Sequence, residues 1–257
     1  MIPSFNWRSK WSDDMGVVLT AFPDIVRPKE RVSTVTITGR SGSLTVVEDE
    51  DAPVYEQFLM TLKCYLRPEG DPSKVLAWLT NDPVSNGKLI LNNDPDYYYV
   101  GRIINQISMS RIMAGRDYFD FSVGVQCEPF KRLVDEEVYD TDTSVNGTTA
   151  LTSGLSIKNP SGIIARPTID ILGTGTVKLT LGNTVTIKNL TTAEGVRIDA
   201  DTGIISSASP ESASQIKYGN KASLVSGELP YIGTSKQTIS WSGNVTRVVV
   251  RPNWRFM

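Results

Sequence analysis

The segment Asp199-Ala200-Asp201-Thr202-Gly203 contains the residue types from which a chemical site could be built. Two carboxylates and a hydroxyl this close together could bind a cation, as in an EF-hand loop. Such a loop needs a third oxygen ligand before its glycine and a glutamate beyond it, and this segment lacks both. Asp, Thr and Gly are also residues that hairpin turns prefer. We therefore predict a plain turn here and no metal site.

Histidine is absent from the chain. This absence excludes hydrolases with a histidine base, the common zinc enzymes and histidine proton shuttles. Neither glycine-rich segment fits a nucleotide loop: Gly39-Arg40-Ser41-Gly42 predicts a hairpin turn, and Gly173-Thr174-Gly175 lacks the third glycine of the dinucleotide fingerprint. Two carboxylates far apart in sequence could still hydrolyse a glycoside, so a carboxylate hydrolase stays an open alternative. The sequence otherwise predicts no catalytic residue, no metal ligand, no cofactor and no enzyme.

The two cysteines, Cys64 and Cys127, each belong to a run of alternating apolar and polar residues. The runs cover residues 58–67 and 119–127, and their period of two is typical of half-buried antiparallel strands. Each thiol therefore shares the apolar face of its strand and is expected to be a small core side chain. We expect the two thiols to stay unlinked and to have no functional role.

One helix is predicted to begin at Asp71-Pro72-Ser73, because Asp71 can cap it and proline suits its first position. Its apolar stripe is Val75, Leu76 and Leu79, and its stop signal is Asn81-Asp82-Pro83. Trp78 lies beside this stripe and is expected to pack into the core. The acidic run Glu48-Asp49-Glu50-Asp51 is most simply a solvated turn or arm.

The segment 135–162 is rich in Asp, Thr, Ser, Asn and Gly and includes the strong turn Asn146-Gly147, so we place a domain boundary there. We predict an N-terminal domain over residues 1–134 and a C-terminal domain over residues 135–257. The second domain alternates short apolar runs with turns, which predicts an antiparallel β-sandwich. Its runs are 168–171, 177–181, 185–187, 196–198, 239–241 and 245–250, and the separating residues include Gly173, Gly182-Asn183, Gly195 and Gly243-Asn244.

Composition is that of an ordinary globular protein: 257 residues, 40% hydrophobic, 21% charged, with a formal net charge of −2. This length suits two domains that each bury a core. A charge near zero argues against sequence-specific nucleic-acid binding, which needs clustered Lys and Arg. The sequence contains no apolar run long enough for a transmembrane helix, and Met1-Ile2-Pro3-Ser4-Phe5 does not fit a signal peptide. We expect synthesis and folding in a cytoplasm, without membrane insertion.

The order of several short motifs resembles the distal tail proteins (Dit family) of long-tailed siphovirus bacteriophages or prophages. In the first half these are an aromatic start (Phe5-Asn6-Trp7), a turn (Ser12-Asp13-Asp14-Met15-Gly16), an arginine-bearing strand and a Gly-Arg-x-Gly turn (Gly39-Arg40-Ser41-Gly42) followed by an apolar residue. In the second half they are Pro160, the segment 165–169, the segment 196–203 and the segment 248–255. One departure is the segment 233–239, where relatives usually have Gly-x-Asn before an aliphatic strand.

This resemblance implies a mainly β (β-rich α+β) protein. Its N-terminal domain would be a β-barrel or sandwich with one helix, related to tail tube proteins. Its C-terminal domain would be a galectin-like antiparallel β-sandwich. The resemblance further implies a hexameric ring at the tail tip that joins the tail tube and tape-measure protein to tail-associated or baseplate proteins. DNA would pass through the lumen of that ring, and the acidic run could face it.

A carbohydrate-binding module for host-surface polysaccharide is the chief alternative. Its aromatic platform would come from Trp241, Trp254, Tyr218 and Tyr231. Against it, Trp241 lies in an alternating run and is expected to point into the core with Ile239. Galectins also use histidine in their sugar site, which this chain lacks.

Overall fold

A computed structural model describes residues 2–47, 53–80, 86–113, 116–145, 147–191, 195–209, 212–217, 223 and 225–257. The chain separates into two compact units, Met1–Val134 and Asp135–Phe256. Both are built mainly from antiparallel strands, which confirms the mainly β fold class. Four predicted features lie outside the described residues: the acidic run 48–51, the helix stop 81–83, Asn146 and Tyr218.

The first unit contains one main sheet, one hairpin that stands apart from it, and a helix. The strands of the main sheet are ordered β2-β1-β7-β8-β10-β6-β3, with β9 beside β10. The bounds are β1 (Phe5–Trp7), β2 (Lys10–Trp11), β3 (Val17–Leu19), β4 (Val32–Thr36), β5 (Ser43–Val47), β6 (Phe58–Leu66), β7 (Gly87–Leu91), β8 (Tyr97–Ile103), β9 (Ser110–Met113), β10 (Arg116–Leu133), α1 (Pro72–Thr80) and a 3-10 helix (Asp13–Met15).

The main sheet curls so that its last strand in this order, β3, returns to the start of the chain. The amide of Leu19 in β3 donates to the carbonyl of Pro3, just before β1, at 3.0 Å. Ser12 holds the same region together, because its amide donates to the Phe5 carbonyl at 2.8 Å and its Oγ accepts from the Phe5 amide at 3.1 Å. Ser12 is fully buried, so these hydrogen bonds satisfy polar groups that water does not reach.

The centre of this sheet is the pairing of β6 with β10, where Cys64 lies opposite Phe121 and Phe58 opposite Cys127. Buried and exposed residues alternate along β6 as the sequence predicts. Both cysteines are free and buried. Burial raises the pKa of each thiol from its ordinary value of 9.0 to about 12, which leaves little reactive thiolate at neutral pH.

We expect both thiols to react with a thiol reagent only after unfolding. Because the unfolded chain loses its thiol protons near pH 9 and the folded chain near pH 12, the thiols stabilise the fold fully below pH 9 and progressively less above it. Stopped-flow labelling with and without denaturant measures the first effect, and urea titrations between pH 8 and pH 10 measure the second. Rapid labelling of both thiols in the native protein would contradict their position on the core face.

Helix α1 begins as the sequence predicts. The Oδ1 atom of Asp71 accepts from the amides of Ser73 at 2.9 Å and Lys74 at 3.3 Å, which is an N-cap. Val75 and Leu79 are buried against the sheet. The ring of Trp78 stacks on Phe5 with 5.7 Å between centroids, and its Nε1 donates to the Trp7 carbonyl at 3.2 Å, which confirms its core role.

The turn between β1 and β2 consists of Arg8 and Ser9, which have φ angles of 52° and 67°. Two-residue hairpins of this kind favour Asn-Gly, because other side chains are strained at positive φ. Ser9 is exposed, so Ser9→Gly removes strain without removing a core contact. We expect this substitution to stabilise the protein by about 0.5 to 1 kcal/mol, measured by urea denaturation. Ser41→Gly, in the exposed turn 39–42, is the matched control and should give no comparable gain.

The second unit contains a nine-stranded sheet and the short pair β13–β20. Its path is β12-β11-β21-β14-β16-β17-β18, with β15 between β14 and β19. All strand pairs of this unit are antiparallel except β11–β12. The bounds are β11 (Val138–Asp140), β12 (Thr148–Ala150), β13 (Ser156–Ile157), β14 (Thr168–Leu181), β15 (Asn183–Leu190), β16 (Gly195–Asp199), β17 (Ile204–Ser209), β18 (Ser212–Lys217), β19 (Val225–Gly227), β20 (Gln237–Thr238) and β21 (Ser240–Arg251).

Two of the predicted strand boundaries in this unit are wrong. Gly173 lies inside β14 and Gly243 lies inside β21, so four predicted short strands form two long ones. The register between β14 and β21 shifts near both glycines. A Cβ on Gly173 would lie 2.3 Å from the Asn244 carbonyl oxygen, so glycine is needed for close approach of the two backbones. At the same region β14 changes its other partner from β16 to β15.

Candidate interaction surface

The hairpin β4–β5, which we call the arm (residues 31–47), is the most exposed element of the first unit. A clamp holds its base: Arg31 donates its amide to the Val54 carbonyl at 2.7 Å, and Glu56 donates to the Lys29 carbonyl at 2.8 Å. Beyond the clamp, the two strands pair with each other and with no other described strand. Gly39 and Gly42 have φ angles of 85° and 82°, which confirms the predicted hairpin turn.

The two faces of the arm differ in polarity. Val35 lies opposite Leu44 and Ser33 opposite Val46, whereas Thr34 lies opposite Thr45 and Thr36 opposite Ser43. Side chains alternate between faces along a strand, so Val35, Leu44 and Val46 share one face with Ser33, whereas Val32 and Val47, at the base, share the other face with the hydroxyl residues. We call Val35, Ile37, Leu44 and Val46 the apolar face, and Thr34, Thr36, Ser43 and Thr45 the hydroxyl face.

The apolar face is open to solvent: Val35 is 48% exposed, Ile37 45%, Leu44 40% and Val46 44%. Ile25, just before the arm, is fully exposed. Scattered apolar side chains are normal on a protein surface, but a contiguous group marks a binding surface. A two-stranded hairpin is also marginally stable by itself, which favours a covering partner.

A second exposed apolar group, which we call the sheet patch, consists of Leu59 and Ile104 on the outer face of the main sheet. Leu59 is 54% exposed and Ile104 49%. Between them lies Gly124, whose carbonyl accepts from the Ile104 amide at 3.0 Å. The Asn105 side chain covers this glycine, since a Cβ there would lie 3.2 Å from Asn105 Oδ1 and 3.3 Å from Leu59 Cδ1. The side chain of Asn105 fixes this backbone, because its Oδ1 accepts from the Gly124 amide at 2.6 Å and its Nδ2 donates to the Ser122 carbonyl at 3.0 Å.

The segment 199–203 forms a plain turn between β16 and β17, as predicted. The Oδ1 atom of Asp199 accepts from the amides of Asp201 at 3.0 Å and Thr202 at 3.3 Å, and Gly203 has a φ angle of 72°. Asp201 also accepts from Arg255. Across the described ranges, no group of three His, Cys, Asp or Glu residues is arranged to hold a metal ion.

The aromatic residues proposed for sugar binding do not all reach the surface. Trp254 is 3% exposed, and its amide donates to Glu136 at 2.6 Å, so it cannot serve as a platform. Trp241 lies opposite the fully buried Leu179 and two residues from the fully buried Ile239, so it shares their face of the sheet as predicted, although it is only half-buried there. Tyr231 packs over Gly182.

A buried row of charges crosses four strands of the second unit, and sequence patterns gave no sign of it. Asp170 in β14 is fully buried and accepts from Arg197 Nη2 at 2.7 Å and from Arg251 Nη1 at 2.8 Å. Asp140 in β11 accepts from Arg247 Nε at 3.0 Å and Nη2 at 2.6 Å. Hydrogen bonding to the carboxylates raises the pKa of Arg197 and of Arg247.

The strand register explains this row. Asp140 lies opposite Val249, Val249 opposite Asp170, and Asp170 opposite Arg197. Arg247 and Arg251, two residues on either side of Val249, share its face. The opposite face of the same strands is apolar core, with Ile169, Ile171, Ile198, Val248 and Val250 fully buried. The charges are therefore a structural element within the sheet, with their hydrogen bonds satisfied internally.

No helix among the described residues is both long enough and apolar enough to cross a membrane. No family model matches the sequence, and no curated protein matches it either.

The fold, by contrast, matches solved structures along the whole chain. The crystal structure of Dit from phage SPP1, described as a paradigm of the hub adsorption apparatus in phages that infect Gram-positive bacteria, matches with a TM-score of 0.64 and 10% identity over 100% of both chains. The chain has the distal tail protein fold. A chain of the phage P2 baseplate in its activated conformation with Ca matches this fold with a TM-score of 0.56 and 8% identity over 100% of both chains. The P2 baseplate with Sr gives a TM-score of 0.53 and 8% identity, over 99% of this chain and 100% of that one.

Proposed function

We propose that this distal-tail-protein-like chain is a structural hub of a phage tail tip. The observation that carries this proposal is the full-length match to SPP1 Dit, because both units of this chain take part in it. Matches to chains of the P2 baseplate support the same place in a virion. In this role the protein works through its contact surfaces and has no catalytic site.

The proposed assembly is a hexameric ring. The domain of residues 1–134 would form the ring, and the galectin-like domain of residues 135–257 would project from it. The ring would connect the tail tube and tape-measure protein to the tail-associated or baseplate proteins, and DNA would pass through its lumen. The protein would be made in the cytoplasm of the host bacterium and reside in the virion tail.

The first unit has a surface that suits ring contacts. The arm exposes every residue from 31 to 46, and its apolar face has no cover within the described part of its own chain. Heterologous contacts through such a surface would produce a closed ring when the rotation between copies closes. Sugar binding by the second unit is less well supported, because Trp254 is buried.

Electron microscopy tests the hub role in two steps. Negatively stained purified protein should show rings with six-fold symmetry, and light scattering should give masses well above the 28.2 kDa of one chain. Immunogold labelling of intact phage particles should place the protein at the distal end of the tail. Labelling of the head or of the tail shaft would contradict the proposal. A ring with a different symmetry would show that the oligomer is not a hexamer, but it would leave the proposed hub role intact.

A further inference from the structure

We propose that a polar notch on the outer face of the main sheet binds a carboxylate group carried by an extended peptide. The notch has a volume of about 200 Å³, and its hydrogen-bonding side chains are Gln57, Asn86, Arg102, Gln126 and Glu128. All of these residues belong to the first unit. The proposed hub role enters only in the source of the peptide, which would be a partner protein of the tail tip.

The strand register brings these side chains together. Gln126 in β10 lies opposite Arg102 in β8, and the next residue, Cys127, is buried, so Gln126 and Arg102 share the outer face. The register of β10 against β8 shifts between Cys127 and Lys131, and Glu128 lies in this bulge. Bulges disrupt a ladder locally and redirect side chains, and this bulge coincides with the notch.

Most of the hydrogen-bonding capacity of the notch is unused within the chain. Glu128 accepts from Arg132 Nη2 at 3.2 Å. Among the described residues, the side chains of Gln57, Arg102 and Gln126 have no hydrogen-bond or ion-pair partner. Each carboxamide offers an acceptor oxygen and two N–H donors, and the guanidinium offers five donors. The notch can therefore bind a polar ligand without breaking contacts of its own.

Arg102 differs from most arginines that the structure describes, because its guanidinium has no carboxylate beside it. The arginines that pair with a carboxylate are Arg67, Arg132, Arg197, Arg247, Arg251 and Arg255. Arg27 and Arg40 also have no such pair among the described residues, but both lie in exposed connections between strands. Arg102 lies within β8, beside the carboxamides of the notch, and its planar fork matches a carboxylate in two parallel hydrogen bonds.

The chemistry of the notch favours a peptide carboxylate over other anions. The carboxylate of Glu128 lines the same notch as Arg102, so a phosphate monoester, with close to two negative charges, would meet repulsion there. A carboxylate carries one charge. The three carboxamides match the N–H and C=O groups of a peptide backbone. No aromatic ring lines the notch, so it has no platform for a sugar or a nucleobase.

The test uses the purified full-length protein and three short synthetic peptides of serine, threonine and alanine. The first peptide has one glutamate in the middle and both ends blocked. The second has glutamine there and a free C-terminal carboxylate, and the third has glutamine with both ends blocked. In an NMR titration, the side-chain signals of Gln57, Arg102 and Gln126 should move with the first or second peptide and not with the third. The tighter of the two acidic peptides shows whether the carboxylate belongs to a side chain or to a C-terminus.

Three variants test the role of the guanidinium fork. Arg102→Lys keeps the charge but loses the fork, so it should weaken binding about tenfold. Gln126→Glu places a carboxylate directly opposite Arg102, where it competes with the peptide, and should weaken binding by about the same factor. Arg27→Lys is the matched control at an exposed position outside the notch and should bind like the wild type. Circular dichroism confirms that each variant keeps its fold.

Three results would overturn the proposal. They are equal binding of the neutral and acidic peptides, equal binding by Arg102→Lys and the wild type, and unchanged notch signals at the highest soluble peptide concentration. The hub role fails separately. Immunogold labelling away from the tail tip would reject that role whatever the titration shows, and a notch that binds no peptide would leave it intact.

Discussion

Asp170→Asn should destabilise the second unit by about 3 to 5 kcal/mol, the usual cost of removing one partner from a buried ion pair. Asp170 is fully buried and accepts hydrogen bonds from Arg197 and Arg251, which come from the strands on either side of it. Asparagine keeps the size of the side chain but removes its charge. Two guanidinium groups then lose their shared counter-ion, and Arg197 is 8% exposed and has little access to water.

A chain with two units need not unfold in one step, so the loss of stability should be measured in each unit separately. Hydrogen exchange detected by mass spectrometry provides this measurement. Peptides from β14, β16 and β21 should lose protection, while peptides from β6 and β10 should keep it. Asp142→Asn is the matched control, because Asp142 also faces Arg247 but at 3.8 Å and with a side chain that is 40% exposed. The control should be indistinguishable from the wild type. Equal effects of the two substitutions would show that the buried row has no special role.

The sequence alone predicted the elements whose structure depends on residues close together in the chain. The cap at Asp71 and the proline after it correctly predicted the start of α1. The alternation around Cys64 and Cys127 correctly predicted two central strands, because a buried face leaves a period of two in the sequence. Both signals involve residues that are neighbours in the chain or in one strand.

The buried charges could not be predicted in the same way. Asp140 and Arg247 are 107 residues apart, and Asp170 and Arg197 are 27 apart. Their meeting depends on the register of four strands, and a shift of one residue in any strand would move its charge to the other face. In the sequence, these residues resemble ordinary surface charges between apolar neighbours.

The apolar face of the arm was missed for a related reason. The alternation of Val, Ser and Thr along β4 is what any half-buried strand shows. Sequence periodicity identifies an apolar face but does not identify what covers it. Strand β6 lies between β10 and β3 in the main sheet, whereas β4 and β5 pair only with each other among the described strands. Exposure of Val35 and Leu44 is therefore a property of the fold alone.

Gly243→Ala should strongly destabilise the second unit, because two separate penalties combine there. Gly243 has a φ angle of 104°, and a Cβ at this position would lie 2.4 Å from the carbonyl oxygen of Thr176 in the neighbouring strand. Gly175 provides the control, since its φ angle of 77° carries backbone strain but its Cβ would meet nothing within 4 Å.

Gly175→Ala should therefore cost about 1 to 2 kcal/mol, the strain of an alanine at positive φ. Gly243→Ala should cost about 1 to 3 kcal/mol more, because β14 and β21 must move apart at this close approach of their backbones. Urea denaturation gives both free energies of unfolding, and the difference between them isolates the contact from the backbone strain. Equal costs would mean that Gly243 is required for its backbone angle alone.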